Sequence, residues 1–383
     1  MTGPAPRPAV TVTHERGEYP VYIEPGILAH LPELARTHLG ARRTALVSDD
    51  TVARLYRGYL DGSNAAWRTT ERTCSDPVAE GWGALSFPAG EASKTRDTWA
   101  RLTDDLLTLG FGRDAALVAL GGGVTGDLAG FVAATYLRGI PFVQVPTTLL
   151  AMLDASVGGK VGVDTDAGKN LVGAFHPPMA VVADPLTLRT LDERTYRSGL
   201  AEAVKHGLIA DEGHLAWIEA NATRILARDL DRVALLVRRS VEIKTVIVEA
   251  DEQETGMRAL LNAGHTVAHA LEQATGFAIP HGEAVAIGLA VEAAIGEAVG
   301  ATESGTRARI EAVLTRLGLP ASLPAGFDPE SLFPALSRDK KSRGQVPGFA
   351  FIEAPGRASA AASDWITPVH PEVLHRILPT LRV

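Results

Sequence analysis

Residues 117–131, LVALGGGVTGDLAGF, join an apolar run to three glycines in G-x-G-x-x-G spacing. The apolar run is typical of a buried parallel strand, and Gly121, Gly123 and Gly126 would open the helix that follows it. Such a turn lets backbone N–H groups approach a pyrophosphate, and the helix N-terminus adds partial positive charge. The acid that usually binds the ribose about 20 residues later is missing, because the chain there reads VQVPTTLLAM. The motif alone leaves two interpretations open, a nucleotide site and a tight turn without a ligand.

The pattern on either side of this stretch predicts two domains. Strand-like runs alternate with amphipathic helical segments up to residue 185, which favours a mostly parallel sheet covered by helices. From residue 186 onward, apolar residues recur at the i, i+3, i+4 spacing of helices. We therefore expect an α/β dinucleotide-binding domain over residues 1–185 and an all-α metal-binding domain over residues 186–383, with the active site between them. Residues 61–83 are irregular and polar, which indicates a loop or insertion.

Composition and charge restrict the class of protein. The chain has 383 residues, of which 46% are hydrophobic and 21% charged, and its formal net charge is −8. These values fit a globular protein of two domains and weigh against a nucleic-acid binder. The single cysteine, Cys74, excludes an internal disulfide and fits a reducing compartment. Because no signal-peptide core and no apolar run of about 18 residues is found, we expect a cytoplasmic protein without a membrane partner.

Strand ends near the glycine turn offer candidates for the missing ribose ligand. Asp49 and Asp50 end the run RTALVSDD, and Glu91 and Lys94 lie in PAGEASKT at another strand-to-helix turn. Since the carboxyl ends of neighbouring parallel strands meet at one edge of a sheet, these side chains are expected close to the glycine turn.

Histidines and carboxylates in the helical half suggest a metal site. His265 and His269 are four residues apart in GHTVAH, His281 begins another helix, and LAEAVKHG supplies Glu202 and Lys205. Imidazole and carboxylate are ligands that zinc prefers, and three protein ligands leave a position open for substrate. The spacing alone would make both His265 and His269 ligands, and packed or surface histidines explain such a pair equally well.

Basic residues beside glycines suggest an anionic substrate. They occur in SVGGKVGVD, DAGKNLVG and ETGMRALLN, which we interpret as loops that bring positive charge and backbone donors to an anion together. Each of these residues taken alone is explained as well by a solvated surface. As a group they favour a phosphorylated, acidic substrate. The residues are Arg138, Lys160, Lys169, Lys244, Arg258 and the run RDKK at residues 338–341.

Taken together, these stretches resemble the dehydroquinate synthase family of sugar phosphate cyclases. The resemblance implies an N-terminal NAD domain, a helical metal domain and a homodimer. The matching motifs follow one another between residues 88 and 341 and read PAGEASKT, GGGVTGDLAGFVAATYLRGI, QVPTTLLAMLDASVGGKVGVD, GKNLVGAFHPP, AEAVKHGLI, ALLNAGHTVAHALE, PHGEAVAIGL and RDKK.

The resemblance also implies a role for each candidate residue. Residues implied to bind NAD are Asp49, Glu91, Lys94, Gly122, Gly123, Val124, Asp127, Thr147, Thr148, Lys169, Thr187, Leu188 and Thr190. Residues implied to hold zinc, or cobalt in its place, are Glu202, His265 and His281. His269 would then handle a proton instead of binding the metal, and the implied catalytic residues are His269, Lys205, Glu254 and Asp154. Residues implied to bind substrate are Arg138, Asp154, Lys160, Asn170, Lys205, Lys244, Arg258, Asn262, His269, and Lys340 or Lys341.

The substrate of the family is 3-deoxy-arabino-heptulosonate 7-phosphate, which carries one carboxylate and one phosphate. The resemblance implies that NAD accepts a hydride from C5, that phosphate is eliminated, and that NADH returns the hydride before an aldol step closes the ring of 3-dehydroquinate. Zinc would act on the C4 and C5 hydroxyls as a Lewis acid. Lys160 and Asn170 would contact the phosphate, and Arg258 would bind the carboxylate.

Several alternatives to the predicted dehydroquinate synthase activity stay open. An aminodehydroquinate synthase would carry the same side chains, whereas valiolone and inosose synthases act on sugar phosphates that lack the carboxylate expected at Lys244, Arg258 and Asn262. A metal-dependent alcohol dehydrogenase of the glycerol dehydrogenase type and a non-catalytic paralogue are the other candidates. GHTVAH also departs from the family, whose members commonly have an aromatic residue or Leu followed by Gly in place of Val-Ala.

Overall fold

The chain divides into two units, Met1–Leu191 and Asp192–Val383. The computed structural model describes residues 6–61, 67–68, 82–166, 168–336, 346–359 and 365–381. Three features singled out in the sequence lie outside these ranges: Cys74, most of the irregular segment 61–83, and the two candidate substrate ligands Lys340 and Lys341.

The N-terminal unit is an α/β structure, as predicted. Its strands are β1 (Val10–His14), β2 (Gly17–Ile23), β3 (Arg43–Asp49), β4 (Trp67–Arg68), β5 (Trp82–Phe87), β6 (Ala115–Gly121), β7 (Phe142–Pro146), β8 (Lys160–Thr165), β9 (Gly168–Phe175) and β10 (Ala180–Ala183). Its α-helices are α1 (Leu31–Leu39), α2 (Asp50–Asp61), α3 (Arg96–Thr108) and α4 (Gly123–Thr135). Within the described ranges, eight strands form one sheet in the order β1-β2-β10-β7-β6-β3-β5-β4. Only β1 and β2 pair antiparallel in this sheet, and the other ladders are parallel.

The central strand of this sheet is β6, which is buried along its whole length. Leu117 and Ala119 pack in a core with α3 and α4 on one face, whereas Val118 and Leu120 pack in a second core with α1 on the other. Burial on both faces explains why β6 is apolar at every position instead of alternating. The glycine turn follows this strand at the carboxyl edge of the sheet.

An antiparallel hairpin of β8 and β9 packs against α4 outside the main sheet. The interpretation of SVGGKVGVD and DAGKNLVG as loops is therefore wrong over residues 160–165 and 168–175. Val161 and Val163 alternate with polar or glycine positions and belong to the core beside α3 and α4. The glycines that suggested loops instead let the two strands approach, since a Cβ on Gly162 would lie 2.7 Å from the carbonyl oxygen of Val172.

The C-terminal unit is mainly helical, which confirms the predicted fold class. Its helices are α5 (Glu193–Ala210), α6 (Glu212–Leu226), α7 (Leu230–Ala250), α8 (His265–Ala274), α9 (His281–Val299), α10 (Thr306–Arg316), α11 (Phe333–Leu336) and α12 (Pro371–Ile377). Two short antiparallel pairs that the periodicity did not indicate are β11 (Gly348–Phe349) with β14 (Thr367–Pro368) and β12 (Ile352–Ala354) with β13 (Arg357–Ala358). In the part of the chain that the structure describes, no helix has the length and apolar character needed to cross a membrane.

Glycines let α9 pack closely against its neighbours. A Cβ on Gly288 would lie 1.9 Å from the carbonyl oxygen of Gly264, just before α8, and a Cβ on Gly282 would lie 1.9 Å from the carbonyl oxygen of Ser198 in α5. Gly264 itself has a left-handed backbone with φ 79°. The residue before α8 and the second turn of α5 are thereby held at backbone contact with the first two turns of α9.

We expect Gly288→Ala to lower the free energy of unfolding by about 1–3 kcal/mol, because the added methyl group forces the start of α8 away from α9. Gly213→Ala is the matched control in the same unit, since its new Cβ would meet one side-chain oxygen of Asp211 at 3.1 Å and no backbone atom within 4 Å. Chemical denaturation of both variants measures the difference. Equal midpoints for the two variants would contradict the close packing.

Candidate functional site

The glycine turn of the N-terminal unit places backbone donors at a helix N-terminus. Gly121 ends β6, Gly122 precedes α4, and no side chain caps this helix. The first N–H groups of an α-helix have no partner within the helix. A Cβ on Gly121 would lie 2.3 Å from Oγ1 of Thr125, and one on Gly122 would lie 3.0 Å from Cγ2 of Thr148. Side chains are thus excluded from the turn, which leaves its N–H groups accessible to an anion.

A cavity and an unsatisfied hydroxyl adjoin this turn. Thr147 follows β7, and its N–H donates to the carbonyl oxygen of Gly121 over 2.9 Å. Its buried Oγ1 has no hydrogen-bond partner among the residues described. Buried polar atoms are rarely left unpaired in a folded protein, so this hydroxyl fits a site that a polar ligand completes. The cavity is lined by Ala119, Gly121, Gly122, Gly123, Gly126, Gln144, Pro146, Ala151, Ala155 and Ser156.

The structure brings five predicted site residues of this unit together. Nζ of buried Lys94 lies 2.5 Å from Oδ2 of Asp127 and 2.5 Å from Oδ1 of Asn170. Nζ of Lys169 lies 3.2 Å from Oε1 of Glu91. Asp127 is on the first turns of α4, and Lys169 and Asn170 come from β9. The hairpin therefore contributes charged and amide groups beside the helix that follows the glycine turn.

The electrostatics of this group favour a charged lysine. Burial lowers the pKa of Lys94, but the carboxylates of Asp127, Glu91 and Asp164 outweigh that effect, so the pKa lies above its ordinary value. Asp164 also accepts a hydrogen bond from the backbone N–H of Asn170 over 2.8 Å, which holds Asn170 in a left-handed conformation with φ 54°. The Lys94 ammonium group is therefore fixed in place before any ligand binds.

Other residues predicted to bind NAD have structural contacts of their own. Oδ1 of Asp49 accepts hydrogen bonds of 2.9 and 3.0 Å from two N–H groups at the start of α2. The hydroxyl of Tyr56 bonds to the carbonyl oxygen of Thr187 and to Oγ1 of Thr190, both over 3.1 Å. Their role toward NAD stays a prediction. The set found at the carboxyl ends of β3, β6, β7 and β10 is Asp49, Gly122, Gly123, Val124, Thr147, Thr148, Thr187, Leu188 and Thr190.

Three predicted substrate ligands of this unit are not part of the Lys94 group. Arg138 lies between α4 and β7, at the amino edge of the sheet and opposite the glycine turn. Its backbone is left-handed with φ 72°, an uncommon conformation for a residue other than glycine. Asp154 lies in a π-helical turn, and Lys160 begins β8 opposite Phe175.

In the C-terminal unit, Glu202, His265 and His281 converge. Each offers a ligand atom, and these atoms all lie within 4.8 Å of one another. Nε2 of His265 is 3.5 Å and Nε2 of His281 is 3.9 Å from Oε1 of Glu202. Glu202 is fully buried, and this Oε1 has no hydrogen-bond partner in the described ranges. A buried carboxylate oxygen that faces two imidazole nitrogens fits a divalent cation.

Surrounding groups orient these side chains. Nδ1 of His265 lies 3.1 Å from the carbonyl oxygen of Ala263, which assigns a proton to Nδ1 and leaves Nε2 as the donor atom for a metal. Lys205, one turn after Glu202, is buried and forms an ion pair with its Oε2. Lys205 is therefore the cationic partner of the buried Glu202 side chain.

His269 is beside the group without belonging to it. Its ring centroid is 5.5 Å from that of His265 and 6.2 Å from that of His281. Among the residues described, His269 contributes no atom to the group of Glu202, His265 and His281, whose ligand atoms lie within 4.8 Å of one another. Half-buried His269 thus lies next to the candidate metal group, and its role in proton transfer stays a prediction.

A loop after α7 carries three more predicted residues. The carboxylate of Asp251 accepts hydrogen bonds from the backbone N–H groups of Thr255, Gly256 and Arg258 at 2.9, 2.7 and 2.9 Å. Burial raises the pKa of Asp251, but these hydrogen bonds lower it more, so the pKa lies below its usual value. Glu254 within the loop has a left-handed backbone with φ 58°. Asp251 therefore holds the loop in a conformation that includes the left-handed backbone of Glu254.

The side chains on this loop are ordered as well. Nδ2 of Asn262 donates to Oε1 of Glu254 over 3.1 Å. The guanidinium group of Arg258 is almost fully buried and donates to the carbonyl oxygen of Glu252 over 2.5 Å. Lys244 is also buried, in α7. Arg258 and Asn262 are thus held by contacts within the unit.

Three buried or half-buried acids in these surroundings were not selected from the sequence: Asp251, Glu272 and Glu292. Glu272 lies seven residues after His265 and three after His269, so helical spacing could have placed it on the histidine face of α8. Asp251 and Glu292 act through backbone N–H groups, and no side-chain spacing reveals such contacts.

Comparisons with known proteins give a consistent assignment. The model of the 3-dehydroquinate synthase N-terminal domain matches residues 84–198, and that of the C-terminal domain matches residues 199–342. A 3-dehydroquinate synthase from Symbiobacterium thermophilum is 46% identical over 373 residues, which cover 96% of this chain and 99% of the relative.

Solved structures share the fold. A 2-deoxy-scyllo-inosose synthase complexed with carbaglucose-6-phosphate, NAD+ and Co2+ matches with a TM-score of 0.82 and 25% identity, over 96% of this chain and 98% of that one. A 2-epi-5-epi-valiolone synthase from Streptomyces hygroscopicus with NAD+ and Zn2+ bound matches with a TM-score of 0.79 and 29% identity, over 95% and 96% of the two chains.

The anchoring role of Asp251 predicts a pH-dependent loss of stability in Asp251→Ala. We expect the free energy of unfolding at pH 7 to fall by about 1.5–3 kcal/mol, as for hydrogen bonds to a charged group. Because the folded-state pKa of Asp251 is lowered, its contribution is complete above the unfolded value of about 3.9 and is lost as pH falls through the folded value. Denaturation between pH 7 and pH 3 measures this. Asp231→Ala, at an exposed position on α7, is the control, and equal effects of the two substitutions at pH 7 would refute the role.

Proposed function

This chain belongs to the 3-dehydroquinate synthase family, and we propose that it converts 3-deoxy-arabino-heptulosonate 7-phosphate into 3-dehydroquinate and inorganic phosphate. The observation that carries the proposal is the group of Glu202, His265 and His281, whose metal-ligating atoms lie within 4.8 Å of one another. The products account for all atoms of the substrate, so the reaction is an elimination and ring closure without net oxidation.

We assign NAD to residues 1–185. The N–H groups of the glycine turn would hold its pyrophosphate, and the free Oγ1 of Thr147 would meet a polar atom of the same ligand. Lys94, fixed by Asp127 and Asn170, supplies a positive charge close to the turn. When bound, NAD supplies a hydride acceptor that is regenerated within each turnover.

We assign a divalent cation, Zn2+ or Co2+, to residues 186–383. Glu202, His265 and His281 would hold it, because the carboxylate oxygen lacks another partner and both histidines present Nε2 to it. When bound, the cation supplies Lewis acidity to substrate hydroxyls. A homodimer is the assembly expected from the family resemblance, and a cytoplasmic location is the expectation from the sequence composition.

The remaining side chains bind substrate or move protons. Arg258 offers a planar fork for the substrate carboxylate, and its contact with a backbone carbonyl oxygen keeps it oriented beforehand. His269 is assigned proton transfer at a ring nitrogen, since it lies beside the metal group with no part in it. Lys205, Glu254 and Asp154 complete the proposed catalytic set. The other proposed substrate ligands are Arg138, Lys160, Asn170, Lys244 and Asn262, with Lys340 or Lys341.

The reaction itself is the first test. Purified protein supplied with NAD and Zn2+ is expected to release inorganic phosphate from the heptulosonate phosphate and to form an equal amount of 3-dehydroquinate. Phosphate colorimetry and chromatography measure the two products, and absorbance at the NADH band is expected to stay flat. Folded, metal-loaded protein that releases no phosphate at any substrate concentration would rule the proposal out.

The same assay separates the alternatives. Net accumulation of NADH with glycerol or another simple alcohol would identify a dehydrogenase. Competition between the heptulosonate phosphate and its amino analogue tests the aminodehydroquinate synthase alternative, because the enzyme proposed here turns over the oxygen substrate preferentially.

Replacing either histidine of α8 by alanine is expected to lower activity, but only one of the two substitutions is expected to remove the metal. His265→Ala should lose both bound metal and activity, because it removes a ligand. His269→Ala should keep its metal while kcat falls about 100- to 10,000-fold, the usual contribution of general acid–base catalysis. Mass spectrometry of the metal content, together with the phosphate assay, measures both. Loss of metal from His269→Ala would show that the division between the two histidines is wrong.

A further inference from the structure

We propose that Glu272 is a positioning residue that orients His281 toward the metal. Glu272 lies on α8 and is buried, and its Oε1 is 3.5 Å from Nδ1 of His281. The other ring nitrogen of His281, Nε2, faces Glu202. One imidazole ring therefore lies between two carboxylates, one placed as a metal ligand and one on the opposite side.

The chemistry of a neutral imidazole explains the need for this partner. An imidazole that binds a metal through Nε2 carries its proton on Nδ1, and an acceptor at Nδ1 fixes both this tautomer and the direction of the ring. A carboxylate acceptor also makes Nε2 a stronger ligand. His265 receives the same support from the carbonyl oxygen of Ala263, so the two histidines differ in their acceptor: a backbone oxygen at His265 and a side-chain oxygen of Glu272 at His281.

The position of His281 makes orientation by its own helix weak. It is the first residue of α9 and follows Pro280, with no side-chain cap at this helix start. The His281 side chain is 32% exposed, compared with 11% for His265. A half-exposed ring at a helix end can rotate toward solvent, whereas a contact with a buried carboxylate on α8 holds it in the site.

The mutual anchoring of α8 and α9 supports this assignment. Glu292 on α9 accepts hydrogen bonds of 2.8 and 2.9 Å from the backbone N–H groups of Gly264 and Val267 at the start of α8. Glu292 of α9 thus contacts the start of α8, which carries His265, and Glu272 of α8 contacts the start of α9, which carries His281. Glu292 contacts backbone and fixes the helix pair, whereas Glu272 contacts the ring of the ligand itself.

The test compares zinc affinity in four full-length proteins: wild type, Glu272→Gln, Glu283→Gln and His281→Ala. Glu283 is the matched control, because it is an acid two residues after His281 whose partner is Arg194, with a distance of 2.6 Å between Nε and Oε1. Competition with a chromophoric chelator gives the Kd for Zn2+. We expect Glu272→Gln to raise this Kd about 10- to 100-fold, as second-sphere changes do, and Glu283→Gln to leave it within about 2-fold of the wild type.

A second measurement separates orientation from general stability. The visible absorption of the Co2+-loaded protein reports ligand geometry, and we expect it to change in Glu272→Gln but not in Glu283→Gln. NAD affinity and the thermal midpoint of Glu272→Gln should remain close to the wild-type values. In folded Glu272→Gln, an unchanged Kd for Zn2+ or an unchanged Co2+ spectrum would overturn the proposal.

The proposal rests on the metal site of the proposed function, and the variants distinguish the two. If His281→Ala leaves zinc affinity unchanged, the metal site fails and the orienting role fails with it. If His281→Ala weakens zinc binding and Glu272→Gln does not, only the orienting role is wrong. Should Glu272→Gln yield no folded protein, Glu272→Asp decides: withdrawing the carboxylate by one methylene is expected to raise the Kd about 10-fold, and an unchanged Kd overturns the role.

Discussion

The burial of the Glu202 carboxylate is the constraint on which the helical unit depends. A fully buried carboxylate is unfavourable unless positive charge or a metal compensates it. Lys205 supplies charge from the next turn of α5, and His265 and His281 approach from the first residues of two other helices. Since each helix contributes a different side chain, the site exists only if α5, α8 and α9 meet closely. The glycines of α9 permit this, because Gly282 and Gly288 touch backbone where any side chain would collide.

The N-terminal unit buries a charge of the opposite sign. Here the buried group is a cation, Lys94, and acids on α4 and near β5 and β8 surround it. Charge is thereby held at the carboxyl edge of the sheet, where the glycine turn offers backbone donors and few side chains. A phosphate-bearing ligand gains from both features, since preorganised donors and a fixed ammonium group need little rearrangement on binding.

The sequence predicted those features that depend on local pattern. The glycine turn, the apolar strand β6 and the helices of the second half follow from composition and period. The prediction that His281 and not His269 is a metal ligand came from the family resemblance. Helical spacing alone favours His265 with His269, because it contains no information on how α8 packs against α9. The hairpin of β8 and β9 was missed because its glycines allow close strand pairing as readily as they allow loops. Glu272, Glu292 and Asp251 were missed because their partners are distant in sequence or lie in the backbone.

The fold and the metal group do not by themselves decide the substrate, because sugar phosphate cyclases with different products share this architecture. Substrate specificity must depend on side chains that contact the part of the molecule in which the substrates of these enzymes differ. Arg258 is suited to this task, since a buried guanidinium group is costly unless its donors are paired. The carbonyl oxygen of Glu252 pairs one donor, and Asp251 holds the loop on which both residues lie. A substrate carboxylate would therefore meet an arginine already in position, and a sugar phosphate without that carboxylate would forgo the contact.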